Sequence, residues 1–252
     1  MEFVLAFELF LGGLSSPDGL AMASDGTVFV SDEAAGTVTG ITPDGTVFTA
    51  MIDLDSPEGI AWHPELGILA VEDVPRGRLV SSVEGVLLRR IPNPEGVAVS
   101  VQGDVYYTWA RMGGPTGICR WTSQGPDSVV TLPRGFMLSG LTVGPDGNLY
   151  ACNEIPISGL LVSVIAVSPR TGFWLPYAGG IPSAEGLRFT PDDRTLIVVS
   201  EELGSLIAVS PDGGTSEVAT GFGSIEDIIF LPCGDMLVTD DSAGSVFRIP
   251  AP

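Results

Sequence analysis

The stretch SPDGLAMASDGTVFVSDEAAGTV, Ser16–Val38, decides the fold. A short apolar run from Leu20 to Met22 leads into a Ser24-Asp25-Gly26 turn, an alternating segment from Thr27 to Val30, an acidic loop ending at Gly36, and a third apolar segment. Period-two alternation on either side of an Asp-Gly turn predicts an antiparallel hairpin. The pattern returns as SPEGIAWHPELGILAVEDVPRGRL from Ser56, NPEGVAVSVQGDVYYTWARMGG from Asn93, LSGLTVGPDGNLYACNEIPISG from Leu138, SAEGLRFTPDDRTLIVVSEELGSL from Ser183 and SIEDIIFLPCGDMLVTDDSAGSV from Ser224. Its acidic position, at Asp18, Glu58, Glu95, Glu185 and Glu226 with Ser139 in the fourth repeat, recurs at spacings of 40, 37, 44, 46 and 41 residues. That period is the length of a propeller blade.

A fourth, more variable strand is expected to close each blade: Thr46 to Ala50, Val86 to Arg90, Ser128 to Leu132, Phe173 to Tyr177 and Thr215 to Ala219. These are five outer strands for six blades. The missing one is assigned to Phe3 to Phe10, which precedes Ser16 at the same offset, so the N-terminus closes the last blade beside Ser245 to Ile249. Closing the ring this way leaves no open sheet edge between the chain ends. The expectation is an all-β, six-bladed β-propeller forming a single, complete domain over residues 1–252.

Composition agrees and removes several functions. The 33 Gly and 20 Pro in 252 residues suit short strands and tight turns rather than long helices. A net charge of −20 repels nucleic acid and anionic headgroups and attracts cations. The chain has eleven Arg, one His (His63) and no Lys, so lysine Schiff-base chemistry, a phosphate-cradling P-loop lysine and any histidine pair are excluded. Codon bias is the plainer explanation of the absent lysine. Cys119, Cys152 and Cys233 are widely spaced and odd in number, which indicates neither a zinc site nor a disulfide framework, and buried structural cysteines are expected. Met1 to Leu11 carries Glu2 and Glu8 and lacks a basic segment, unlike a signal peptide, and no run reaches eighteen apolar residues. A monomeric cytoplasmic protein acting on a small molecule, with no nucleic-acid or membrane partner, is the resulting expectation.

The opening P-[DE]-G-[LIV]-A, followed by D-G-x-[LV]-[YF]-V, resembles the six-bladed superfamily that holds NHL-repeat proteins, the senescence marker protein and gluconolactonase group, paraoxonases and strictosidine synthases. The resemblance runs from Ser16 to Ile249 and is specific for fold but loose for activity.

In such a blade the first strand lines the channel and the second runs back antiparallel to it. The start of the first and the end of the second therefore share one mouth. The inner set there is Asp18, Glu58, Glu95, Ser139, Glu185 and Glu226; the outer set, counted back from each loop, is Asp32, Asp73, Trp109, Asn153, Glu201 and Asp240. Glu33, Glu72, Glu154, Glu202, Asp227 and Asp241 neighbour them. Outer acids read equally well as solvated loop tips. Five inner carboxylates crowd one another and lose hydration, so at neutral pH some must be protonated or a cation must sit among them. Ca²⁺, with roughly six to eight oxygen ligands, is the natural divalent occupant.

The resemblance to the lactonase branch implies metal ligands at the inner position, which nominates Asp18, Glu95, Glu185 and Glu226, with Glu58 as a fifth. It also implies a fifth-blade carboxylate, Glu185, as the base that takes a proton from water; the residues alone do not separate it from Glu226 or Asp18. Two departures stand out: none of the inner residues is Asn, and Ser139 replaces a ligand-like residue. Trp109 and Arg111 break the acidic loop pattern in the third blade and are placed to stack on and orient a substrate, or to neutralise the acids, with Asn153 and Asp240 as further substrate contacts. Ile155 to Gly159 and Phe136-Met137-Leu138 would shape an apolar entrance or cover a blade. His63 falls in a turn at the opposite mouth and reads as a surface residue, which leaves a paraoxonase-type histidine mechanism without support.

Three functions follow: a divalent-metal-dependent hydrolase of a small lactone or ester, a metal-free enzyme resembling strictosidine synthase that acts on an amine, or a non-catalytic NHL-type binding propeller.

Overall fold

The structure, a computed structural model, describes residues 7–154 and 161–251. These form six four-stranded antiparallel sheets and no helix. Blade 1 runs Pro17–Met22, Val28–Asp32, Thr37–Ile41 and Val47–Met51, and blades 2 to 5 repeat that order, their first strands being Pro57–His63, Val97–Val99, Leu138–Val143 and Ala184–Phe189. The hairpin between the first two strands forms for the expected reason. Gly26 takes φ +86°, a conformation open to glycine, while Asp25 Oδ1 accepts from the Thr27 amide at 2.9 Å.

Blade 6 contains Ile225–Phe230, Met236–Asp240 and Ser245–Ile249, and its outer strand is Glu8–Gly12 from the other end of the chain, paired antiparallel with Glu8 opposite Arg248 and Gly12 opposite Ser245. The expected closure is therefore present, displaced towards the C-terminal side of Phe3 to Phe10, whose first four residues lie outside the described residues, as does Ile155 to Gly159. Phe7 secures the seam by packing on Phe222 and Phe247, with ring centroids 4.6 and 5.0 Å away. Leu20, Val28 and Val30 of blade 1 join Ile229, Leu237 and Val246 of blade 6 in one buried cluster. First strands of successive blades lie side by side around the whole ring, blade 6 beside blade 1, so all six face a common channel.

All three cysteines are free, but the expected burial holds for Cys152 alone, Cys119 being half-buried and Cys233 exposed. His63 is also a correction, because it is 7% exposed rather than a surface residue. Its Nδ1 accepts from the amides of Glu65 and Leu66 at 3.0 and 3.1 Å, which leaves Nε2–H to donate to the Gly103 carbonyl at 3.2 Å. A turn that must satisfy two inward-facing amides selects this side chain.

Candidate active site at the acidic mouth

Close packing of the first strands begins with glycine. At Gly19, Gly59, Gly96 and Gly140 an added Cβ would fall 2.3 to 2.5 Å from the carbonyl oxygen of the inner residue in the next blade, Glu58, Glu95, Ser139 and Glu185 respectively. Only a residue without a side chain allows that approach, and it brings the preceding acids to a shared axis. Hydroxyls hold the same strands from behind. Ser31 Oγ accepts from Gly19 N at 2.8 Å and donates to Glu58 O at 2.6 Å, while Thr239 Oγ1 accepts from Asp227 N at 2.9 Å and donates to Asp18 O at 2.6 Å. Thr108 makes the equivalent pair of contacts with Gly96 N and Ser139 O.

The result is a cavity of about 210 Å³ lined by Asp18, Glu58, Glu95, Glu185 and Glu226. All five nominated inner acids are thus brought together. Burial is the main cause that raises each of them above the ordinary carboxylate range, and neighbouring charges add to it: Glu226 for Asp18, Asp18 for Glu58, Glu154 for Glu95, and Glu95 for Glu185. Glu226 is pushed up to about 8 by burial, then by Glu201 and Asp241. The sixth member, Ser139, is buried and donates to the Ala184 carbonyl at 2.9 Å, so it ties blades 4 and 5 together.

The outer set divides into two. Glu201 lines the cavity with Glu33, Glu154 and Asp241, whereas Asp32, Trp109, Asn153 and Asp240 do not, and Asp73 shares the register of Glu33 without reaching the lining. Backbone pairing explains the split, since the amides of Glu33, Asp73, Glu154, Glu201 and Asp241 all bond the carbonyl just ahead of their blade's first strand. Counting back from each loop therefore mixed two adjacent positions whose side chains point oppositely. The position before is buried and holds the incoming chain. Asp32 accepts from the amides of Ser15, Ser16 and Ala35 at 2.8, 3.0 and 3.1 Å. Asp240 accepts from Gly223 N at 2.7 Å and Ala243 N at 3.0 Å. Asn153 accepts from Met137 N and donates to Val162 O, both at 2.8 Å. Their polar atoms are committed to backbone, which removes Asn153 and Asp240 as substrate contacts.

Trp109 packs into the core between blades 2 and 3 with its Nε1 buried and without a hydrogen-bond partner among the described residues, and exposed Arg111 lies over its ring at 5.9 Å. That pair does not border the cavity. Mouth-facing acids are instead bridged blade to blade by serines: Ser16 Oγ donates to Asp241 at 2.6 Å, Ser56 Oγ to Glu33 at 3.0 Å and Ser224 Oγ to Glu201 at 2.7 Å.

Two lining residues go beyond what the sequence assigns: Asp227 stands there only as a neighbour of the acidic sets, and Arg188 is not singled out. Asp227 occupies the place of glycine in blade 6, and its carboxylate accepts from Leu20 N of blade 1 at 2.9 Å and from Ile228 N at 2.8 Å. Arg188, in the first strand of blade 5, is the sole basic residue of the lining and stands 3.6 Å from Asp227. Burial raises Asp227 while Arg188 opposes the rise. The signal was present in SIEDIIF, where the fourth residue departs from the glycine of the other five repeats.

The donor set is all carboxylate oxygen, which suits a hard divalent cation in kind. Among the described residues, however, no group of three or more His, Cys, Asp or Glu side chains stands ready to hold one. An ion would require the acids to close on it.

No protein-family model matches this sequence, and no curated protein matches it. Solved structures do. A gluconolactonase from Xanthomonas campestris aligns with TM-score 0.76 at 15% identity, covering 98% of this chain and 89% of that one. Virginiamycin B lyase from Staphylococcus aureus aligns with TM-score 0.72 at 17% identity over 98% and 86%. A Thermus thermophilus protein described as a putative oxidoreductase (glucose dehydrogenase) gives 0.71 at 19% over 97% and 99%. At these identities the likeness is one of architecture, and the chain shares with them the six-bladed β-propeller fold.

Proposed function

We propose that the acidic mouth hydrolyses a small lactone or ester. One observation carries the reading: acids from five blades share a small cavity in which burial and mutual repulsion raise them all. Such a group holds protonated and ionised members side by side near neutral pH, which is what ester hydrolysis needs. Glu185 takes a proton from water as the water oxygen bonds to the carbonyl carbon. Glu226, protonated up to about pH 8, gives its proton to the leaving alkoxide oxygen as the ester C–O bond breaks. The acid product gives its remaining proton to the now ionised Glu226, Glu185 returns its proton to solvent, and the resulting carboxylate is repelled by the surrounding acids. Likeness to a gluconolactonase supports the choice of a lactone.

Asp18, Glu95, Glu185 and Glu226, with Glu58, would hold a Ca²⁺ ion if one binds. Bound there, it would supply Lewis-acid polarisation of the carbonyl. A protonated amine is a second reading, favoured by the lack of a ready three-ligand cage, because one diffuse positive charge relieves a ring of acids without closing them on a point.

The test is turnover of a lactone and ester panel followed by proton release, with Glu185→Gln beside the unaltered chain. Activity lost by about 10²-fold or more with an unchanged melting curve supports the assignment; full activity in the variant overturns it. Metal analysis of chelator-free protein and melting curves with and without EDTA separate the cation from the amine.

A further inference from the structure

Past the acidic mouth the channel opens at its other end into a second cavity of about 450 Å³. One residue from each first strand or its extension rings it: Met22, Trp62, Val99, Val143, Phe189 and Phe230. The chain carries 31 acidic residues, yet among the described residues no acid lines this cavity. Its single charged lining residue is Arg188, which borders the acidic cavity as well.

Arg188 sits where the other blades place Ala21, Ala61, Ala98, Thr142 and Ile229, mostly small side chains that leave the channel wide enough for one long one. Its Nε donates to the Ile228 carbonyl at 3.3 Å. Its Nη2 is 3.6 Å from Asp227 Oδ2, within ion-pair range but beyond a good hydrogen bond. Among the described residues the two terminal nitrogens make no hydrogen bond, although the side chain is only 30% exposed. A planar fork with open donors matches a carboxylate or sulfonate bidentately.

We propose that this end of the channel is a second binding site, for a small amphipathic anion whose apolar body rests on Trp62, Phe189 and Phe230 and whose anionic head meets Arg188. Charge selects the occupant. An anion is repelled at the acidic mouth and finds here the one channel cation, in a chamber free of acids. The volume falls in the range of about 300–1,000 Å³ typical of small-molecule sites.

The probe is 1-anilinonaphthalene-8-sulfonate, followed by its fluorescence, with the uncharged N-phenyl-1-naphthylamine as its neutral counterpart. The sulfonate should saturate one site per chain, and Arg188→Met should weaken it about tenfold or more while leaving the neutral dye unchanged. Glu185→Gln should alter neither. In the unaltered chain, octanoate should displace the sulfonate dye and octanol should not, which keeps the proposal testable even if Arg188→Met fails to fold. Equal affinity for the sulfonate in Arg188→Met, or equal displacement by octanoate and octanol, overturns it. Because the acidic mouth takes no part in these readouts, they stand apart from the hydrolase reading.

Discussion

Replacing Glu226 by glutamine should stabilise the protein at high pH and leave it nearly unchanged at low pH. In the folded chain Glu226 holds its proton up to about pH 8, against an ordinary value of 4.5. The folded state thus binds the proton more tightly than the unfolded one. Its contribution is fully present below pH 4.5 and is lost as pH rises towards 8, because the unfolded chain then gains ionisation that the folded chain resists. At 1.36 kcal/mol per pH unit the interval amounts to about 5 kcal/mol, or about 3 to 5 kcal/mol when the side chain's partial opening to the channel is allowed for. Glutamine stays neutral throughout and avoids that loss. Urea unfolding in EDTA at pH 5, 7 and 9 measures it: the variant should be within about 1 kcal/mol of the unaltered chain at pH 5 and about 3 to 5 kcal/mol more stable at pH 9. Taking the difference between the two chains at each pH removes the general repulsion of a net charge of −20. Parallel pH profiles would refute the placement of Glu226 among desolvated acids.

Gly59→Ala places a Cβ 2.3 Å from the Glu95 carbonyl and should cost about 1 to 3 kcal/mol in denaturant unfolding, by forcing blades 2 and 3 apart. Asp32→Ala removes a buried carboxylate that three part-buried amides donate to and should cost about 1 to 3 kcal/mol, read as a lowered melting temperature, while leaving ligand affinity at the acidic mouth unchanged in calorimetry. If Ca²⁺ is held by the ring, adding it at a hundredfold excess over its dissociation constant should stabilise the fold by about 2.7 kcal/mol, and the Glu95→Gln, Glu185→Gln double variant should lose that increment.

The ring was legible because its determinant is short and local. Pro, an acid and Gly in succession place a carboxylate at the start of the first three channel strands, Ala-Glu-Gly and Ile-Glu-Asp do so in the fifth and sixth, and repetition every 37 to 46 residues carries these five to one axis. The outer set was harder to read for a reason of register. Asp32 and Glu33, or Asp240 and Asp241, are adjacent acids, and which of the two faces the cavity depends on backbone pairing at the blade's opening rather than on residue type. Asp227 was legible only as a neighbour of the acidic sets and Arg188 not at all, since each reads as one substitution in a variable repeat; their meaning comes from blades 5 and 6 placing them 3.6 Å apart. His63 misled because a turn residue beside Pro64 reads as exposed, whereas its two ring nitrogens are spent on three backbone groups.

Acids from five blades sharing one desolvated chamber should keep protons there near neutrality. Carbon-13 NMR of the side-chain carboxyls, titrated from pH 3 to 10 in metal-free buffer, measures it residue by residue. Asp18, Glu58, Glu95 and Glu185 should titrate well above the usual carboxylate range, with Glu226 turning at about 8. Midpoints between about 3.5 and 4.5 for all five, the values of solvated carboxyls, would contradict it.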